Sequence, residues 1–182
     1  SALAAGARRV QLIEEPIAAA IGAGLPISEA TGSMIVDIGG GTTEIAVMSL
    51  GGVVFSKSLR IAGDAMDGAI INYMRKKFNL LIGESTAEKI KKEIGTAIPT
   101  TNNVFLMKGR DIRTGTPKEI SLTEEDACEA LMPILNQMLA AIKEALESTP
   151  PELSADLVDM GLVLTGGGAM LKNIDKLISK DT

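Results

Sequence analysis

A run of three glycines between two apolar segments is the feature that most constrains how this chain can fold. The first segment is Met34-Ile35-Val36-Asp37-Ile38, the loop Gly39-Gly40-Gly41-Thr42-Thr43 follows, and a second apolar segment starts at Glu44. Glycine has no Cβ and permits positive φ, so a polyphosphate can approach the backbone N–H groups of such a loop closely. A tight β-hairpin whose glycines serve only the turn is the alternative. Two-residue turns rarely need three glycines behind a buried acid, so the pattern favours a phosphate-binding hairpin.

A second glycine cluster lies near the C-terminus. Residues 162–165 are predicted as a short buried strand, Gly166, Gly167 and Gly168 follow, and a helical run is expected over residues 169–178. Strand, glycines and helix in this order bring ligands to the carboxyl edge of an open α/β sheet. A bare strand-to-helix turn is the alternative interpretation, and the cluster alone is a weak signal.

Two adjacent carboxylates mark a third junction, upstream of both glycine clusters. Residues 10–13 are predicted as a strand, Glu14 and Glu15 follow, and Pro16 begins a helix of small residues that extends to residue 24. An acidic side chain at a helix N-terminus also interacts favourably with the helix dipole, by about 0.3–1 kcal/mol. That structural role fits Glu14 and Glu15 equally well.

Composition limits the chemistry that the chain can perform. It contains no histidine, which excludes a histidine-based triad, proton shuttle or metal site. The single cysteine, Cys128, excludes an internal disulfide and fits a reducing compartment. The formal net charge of −5 argues against a nucleic-acid partner. Catalysis is therefore expected to depend on carboxylates, hydroxyls, backbone dipoles and a hard cation.

Apolar periodicity predicts strands that alternate with helices along the chain. This order implies an α/β fold with a mixed sheet flanked by helices. Three helices carry capping signals, namely Asp64 for the second, Ser85 with Glu88 for the third, and Thr123 with Asp126 for a long fourth helix. Further strands are expected at residues 33–38, 44–50, 53–61, 101–107 and 118–122. Further helices are expected at residues 65–78, 85–94 and 152–158. Five methionines are expected in the core: Met48, Met66, Met74, Met107 and Met138.

The three junctions together resemble the actin, sugar-kinase and heat-shock-chaperone ATPase superfamily. Within it, the segments 13–24, 37–44 and 164–170 resemble the MreB family, the rod-shape-determining bacterial actins, and the resemblance covers essentially the whole chain. It implies a ribonuclease-H-like, actin-type lobe, subdomain IIA, formed by residues 1–79 and 122–182. Residues 80–121 would form a small inserted α+β subdomain, IIB. It also implies that the chain is only the second lobe of its parent protein.

The resemblance assigns roles to individual residues in binding and hydrolysing ATP. Glu15, the acid directly before Pro16, matches the family's catalytic acid, and Thr42 is a second residue that would position the attacking water. Whether Glu15 abstracts a proton or only orients that water stays open. Asp37 would bind Mg²⁺, mostly through water molecules.

The remaining expected ligand contacts surround the nucleotide. Glu88 and Lys92 match the helix that forms the ribose and adenine wall, although their i,i+4 spacing equally predicts a simple ion pair. The implied cofactor-binding residues are Gly39, Gly40, Gly41, Thr42 and Thr43 at the phosphates, and Glu88, Lys92, Gly166, Gly167, Gly168, Ala169 and Met170 at the adenosine.

The function implied by the resemblance is that of a cytoskeletal ATPase that polymerises with ATP and organises cell-wall elongation. Its expected partners are copies of itself and cell-wall elongation proteins of the inner membrane, and its expected place is the cytoplasmic face of that membrane. Membrane contact would come only from parts outside this chain. One alternative is another ATPase of the same fold: a heat-shock-type chaperone, a division-associated FtsA-like protein or a small-molecule kinase. The other alternative is a non-catalytic interaction domain.

Overall fold

The computed structural model describes all residues from Ser1 to Thr182 and contains two β-sheets with six α-helices. In chain order the elements are α1 (Glu15–Gly22), β1 (Ser33–Ile38), β2 (Thr43–Ser49), β3 (Gly52–Leu59), α2 (Gly63–Phe78), β4 (Leu80–Leu81), α3 (Glu84–Ile94), β5 (Val104–Asp111), β6 (Pro117–Thr123), α4 (Glu124–Glu147), α5 (Pro151–Met160), β7 (Leu162–Thr165) and α6 (Ile174–Asp181).

The main sheet has the strand order β3-β2-β1-β7 and is covered by helices on both faces. The strands β1, β2 and β3 form an antiparallel meander, whereas β7 runs parallel to β1. On one face, Ile35 and Met48 pack in a small cluster with Ala20 of α1. On the other, Met34 and Val36 belong to the main core, which α2 and α4 complete. This is the mixed sheet flanked by helices that the sequence predicts.

A smaller sheet with the order β4-β5-β6 lies between α2 and α4 in the sequence. Its strands are antiparallel, and Met107 of β5 and Leu122 of β6 turn one face of it into the main core. The long helix α4 starts at the predicted capping box, because the Thr123 side chain accepts from the Asp126 N–H and the Asp126 carboxylate accepts from the Thr123 N–H. The five methionines that were expected in the core are all buried: Met48, Met66, Met74, Met107 and Met138.

Residues 10–13 do not form the predicted strand. Ser1 to Glu14 contain neither helix nor strand, and Leu12 is 97% exposed. An isolated strand without a neighbour to pair with is not stable, so local β-propensity was insufficient here. The helical run predicted over residues 169–178 is confirmed only in its second half, since a short 3₁₀ turn at Gly167–Met170 precedes α6, which begins at Ile174.

Two of the predicted helix caps are wrong. Helix α2 already begins at Gly63, with Ala62 in the capping position, so Asp64 lies inside the first turn. Helix α3 begins after Gly83, which makes no side-chain cap, and Ser85 lies within the helix. Both starts come earlier than the polar side chain that was expected to set them. No helix in the structure combines the length and the apolar character that crossing a membrane requires.

Candidate functional site

The glycine loop after β1 presents a set of unused backbone donors. The Gly39 N–H closes the loop on the Thr42 carbonyl at 2.9 Å. The carbonyls of Gly39 and Gly40 accept from the N–H groups of Gly63 and Asp64, at 3.1 and 2.8 Å, so the first turn of α2 holds the loop from behind. The N–H groups of Gly40, Gly41 and Thr42 donate to no acceptor of the chain. Consecutive free N–H groups of this kind can bind an anion.

Gly40 and Gly41 border open space, whereas a Cβ at Gly39 would lie 3.2 Å from the Thr42 carbonyl oxygen. None of Gly39, Gly40 and Gly41 has a positive φ, so the sequence-based argument from positive φ is wrong for this loop. A Cβ at Gly40 would meet only Asp64 Oδ1, at 3.6 Å, and a Cβ at Gly41 would meet nothing within 4 Å. The surface of the loop is therefore open to a ligand.

The second glycine cluster packs directly against the end of β1. Gly166 has φ +85°, and an added Cβ would lie 2.4 Å from both Asp37 Oδ1 and the Ile38 carbonyl oxygen. A Cβ at Gly168 would lie 2.3 Å from Ile38 Cγ2. Because Asp37 is paired with Thr165 in the parallel register of β1 and β7, both glycine clusters meet at one sheet edge.

A cleft of about 810 Å³ opens at this edge, between the main sheet and helix α3. It brings together predicted residues of the first glycine loop, helix α3 and the second glycine cluster: Gly39, Gly40, Glu88, Lys92, Gly167, Gly168 and Met170. Met170 is 85% exposed despite its apolar side chain, so it offers a free apolar surface at the wall of the cleft.

Other predicted residues are not part of the cleft wall. Glu15 is exposed in the first turn of α1, and Asp37 is half-buried at the end of β1. Thr43 is fully buried, and its hydroxyl donates to the Ile61 carbonyl at 2.6 Å, so this side chain has a structural role. Ala169 is half-buried in the 3₁₀ turn, where its N–H donates to the Gly166 carbonyl at 3.2 Å.

Glu88 and Lys92 form the ion pair that their spacing predicted as an alternative to ligand binding. The Lys92 ammonium donates to Glu88 Oε1 at 2.6 Å. This contact lowers the pKa of Glu88 and raises the pKa of Lys92. Both side chains are largely exposed, so the pair contributes little to stability. It lines the cleft with two charges that are already matched to each other.

Several cleft residues escaped the sequence analysis. Lys91 is one of them, and only 17% of its side chain is exposed. Two sequence features could have indicated these residues. Asp64 and Asp67 follow Gly63 at the start of α2, and charged residues recur at helical spacing along α3. The residues missed are Gly63, Asp64, Met66, Asp67, Glu84 and Ser85, together with Lys91, Gly95, Leu171 and Lys172.

The donor set fits a hydrated magnesium ion better than a site built only from protein ligands. No group of three or more acidic, histidine or cysteine side chains is placed to hold a metal. The Asp37 carboxylate stands at the entrance to the glycine loop, against Gly166. Mg²⁺ keeps several waters and commonly takes one or two carboxylates plus phosphate oxygens, which a single acid beside a phosphate loop can satisfy.

The chain is similar in sequence to known proteins over its whole length. The family model for MreB/Mbl protein matches residues 1–182. The chain belongs to the MreB/Mbl family. One curated MreB/Mbl relative, the cell shape-determining protein MreB of Escherichia coli strain K12, is 56% identical over 183 residues, which cover 100% of this chain and 53% of the relative. This MreB/Mbl chain therefore spans about half the length of the curated relatives it matches.

Solved structures of the MreB/Mbl family show the same fold. The crystal structure of MreB5 of Spiroplasma citri bound to AMPPNP superposes with a TM-score of 0.95 at 40% identity, covering 98% of this chain and 54% of the other. Its ADP-bound form gives the same score and identity, with 98% and 55% coverage. These matches confirm the actin-like fold class and the resemblance noted from the sequence.

Proposed function

We propose that this MreB/Mbl chain supplies one wall of an ATP site in its full-length protein, which hydrolyses ATP to ADP and phosphate. The observation that carries the proposal is the meeting of two glycine clusters at one sheet edge, with free N–H groups on Gly40, Gly41 and Thr42. A related structure, MreB5 of Spiroplasma citri, holds AMPPNP or ADP, which supports a nucleotide as the ligand.

The proposed chemistry divides among the residues of the chain. The glycine loop donates N–H groups to the β- and γ-phosphates, and Asp37 holds hydrated Mg²⁺, which neutralises phosphate charge when bound. Glu15 and Thr42 position the attacking water. Gly167, Gly168 and Met170 support the adenosine, opposite Glu88 and Lys92 of α3. Phosphoryl transfer needs mainly positioning and electrostatic stabilisation, which this set can provide without histidine.

The proposed biological role is a filament that determines cell shape. Membership of the MreB/Mbl family supports this role over that of a heat-shock-type chaperone, an FtsA-like protein or a small-molecule kinase. In this proposal the full-length protein polymerises with ATP, lies at the inner face of the bacterial membrane and acts with cell-wall elongation proteins. Membrane contact is assigned to parts outside this chain.

We also propose that the chain comprises subdomain IIA, residues 1–79 and 122–182, and subdomain IIB, residues 80–121. The separate three-stranded sheet supports this division, since β4, α3 and β5 lie within the inserted segment and β6 lies at its end. Limited proteolysis of the purified protein tests the division. Cleavage in the exposed β5–β6 turn and within the irregular residues 1–14, with the rest of subdomain IIA intact, is the expected pattern.

Sedimentation of the full-length protein with and without Mg·ATP tests the function. Pelleted filaments with ATP, and a soluble protein without it, are expected. The Asp37→Ala variant provides the matched control, because it should lose Mg²⁺-dependent assembly. A protein that stays monomeric with ATP and turns over only with a small-molecule acceptor would instead be a kinase.

A further inference from the structure

The pair Lys91–Asp67 links the two walls of the cleft. Lys91 belongs to α3, and its Nζ donates to Asp67 Oδ2 of α2 at 2.9 Å. The same ammonium donates to the Gly63 carbonyl at 2.9 Å. Gly63 in turn donates its N–H to the Gly39 carbonyl in the glycine loop at 3.1 Å. A continuous hydrogen-bonded path therefore connects α3 to the loop.

Burial makes this pair different from the other ion pair on α3. The side chains of Lys91 and Asp67 are 17% and 15% exposed, whereas those of Lys92 and Glu88 are 68% and 49% exposed. A screened surface pair between residues of one helix contributes little, but a pair sheltered from water between two helices is much less screened. The Lys91–Asp67 pair is therefore the stronger electrostatic contact of α3.

Asp67 depends entirely on Lys91 for its hydrogen bonding. Its second oxygen, Oδ1, is buried and has no donor. A buried carboxylate with one partner loses all compensation when that partner is removed. Lys91, by contrast, keeps the Gly63 carbonyl when Asp67 is replaced. The carboxylate thus fixes the lateral position of the ammonium, and the carbonyl alone would leave it free to swing.

We propose that Asp67 is a positioning residue: it holds Lys91, and with it helix α3, at a fixed distance from the glycine loop. The inference rests on the proposed function of the cleft as a nucleotide site. In that site the adenosine of the nucleotide contacts the α3 wall of the cleft, whereas its phosphates contact the glycine loop. Fixing the distance between these walls lets one ligand engage both at once, which is the benefit of preorganisation.

The proposal predicts a selective loss of binding in the full-length protein. The Asp67→Asn variant keeps the size of the side chain and removes its charge. Its affinity for ATP should fall about ten-fold, whereas its affinity for inorganic tripolyphosphate, which needs only the loop, should change less than about two-fold. If Asp67 had a purely structural role, its replacement would lower the affinities for ATP and for tripolyphosphate by the same factor. Asp181→Asn is the matched control, because it removes the peripheral Lys143–Asp181 pair of 3.8 Å and should leave both affinities unchanged.

A second measurement does not depend on nucleotide binding. Hydrogen exchange of the nucleotide-free protein should show faster exchange of the α3 amides, Glu84–Ile94, in Asp67→Asn than in wild type or in Asp181→Asn. Lys91→Gln should reproduce both effects if Asp67→Asn does not fold. Wild-type protein that binds no ATP would refute the proposed function. Wild-type binding with an unchanged Asp67→Asn variant, in affinity and in exchange, would refute the positioning role alone.

Discussion

Gly166 stands directly against Asp37: a Cβ at position 166 would lie 2.4 Å from Asp37 Oδ1. The second glycine cluster therefore packs on the acid that introduces the first one. A larger residue at position 166 cannot be accommodated unless the Asp37 side chain moves.

Gly166→Ala should destabilise the purified 182-residue chain by at least about 2 kcal/mol, because it combines a positive φ with a steric collision. Gly167→Ala should shift stability by no more than about 0.5 kcal/mol, since a Cβ there meets nothing within 4 Å. Urea unfolding measures both. Equal stability of the two variants would contradict the packing described.

Gly40→Val should abolish most nucleotide binding by the full-length protein while leaving its unfolding curve almost unchanged. A Cβ at Gly40 would meet only Asp64 Oδ1, at the ordinary contact distance of 3.6 Å, so we expect the valine side chain to extend into the space of the phosphate. Loss of two phosphate contacts corresponds to about 100-fold in affinity. Titration with a fluorescent ATP analogue measures the effect, and normal binding would show that the loop is only a turn.

Glu15→Ala and Thr42→Ala should each slow ATP hydrolysis by the full-length protein and leave nucleotide affinity largely intact. Both residues are proposed to act on the attacking water, and removal of such a contribution commonly costs about 10²–10⁴-fold in rate. Asp37→Ala should instead weaken the Mg²⁺-dependent part of binding. Phosphate release and titrations with and without Mg²⁺ separate these effects. Unchanged phosphate release in Glu15→Ala would remove that residue from the mechanism.

Glu124 should make the free energy of unfolding depend on pH. It is 2% exposed, and donation from the Thr101 hydroxyl and from the N–H groups of Thr100 and Thr101 lowers its pKa below the ordinary value of 4.5. A lowered folded-state pKa stabilises the fold above pH 4.5, and this contribution disappears as the pH falls through the folded-state pKa.

The Glu124→Gln variant should therefore be less stable than wild type at pH 7, by about 1–3 kcal/mol. The difference should shrink as the pH is lowered below about 4.5. Urea unfolding of both proteins between pH 3 and 7 provides the measurement. A difference that stays constant over this range would assign the effect to packing rather than charge.

The isolated 182-residue chain should fold, bind ATP weakly and show no Mg²⁺-dependent hydrolysis. This chain offers the polyphosphate one glycine hairpin, and it spans about half the length of the relatives that it matches. Phosphate contacts that face water on their other side are weak, because the high dielectric constant of water screens them. Calorimetric titration with Mg·ATP measures the affinity. Micromolar binding with turnover would show that the chain holds a complete site.

Sequence patterns predicted several parts of the structure that depend on neighbouring residues, although the caps at Asp64 and Ser85 are wrong. The hairpin around Gly39–Gly41 and the capping box of Thr123 and Asp126 are local, and both are confirmed. The strand expected at residues 10–13 failed because pairing requires a distant partner that the chain does not supply there.

The parts of the site that escaped prediction depend on contacts between remote segments. Lys91 and Asp67 lie on different helices, and only the packing of α2 against α3 brings them to 2.9 Å. The reason for each glycine could not be predicted either. Gly40 borders open space and Gly166 has a positive φ, but the sequence shows only a glycine at both positions.

The parallel pairing of β1 with β7 gives the cleft one stiff side. Asp37 and Thr165 are held in register, so the two glycine turns that follow them move as a single body. Helix α3 forms the other side, where Ala87, Ile90 and Ile94 pack into the main core and Lys91 bonds to α2 beside the glycine loop. With the second side held by the Lys91–Asp67 pair, a ligand should meet both sides of the cleft already in place.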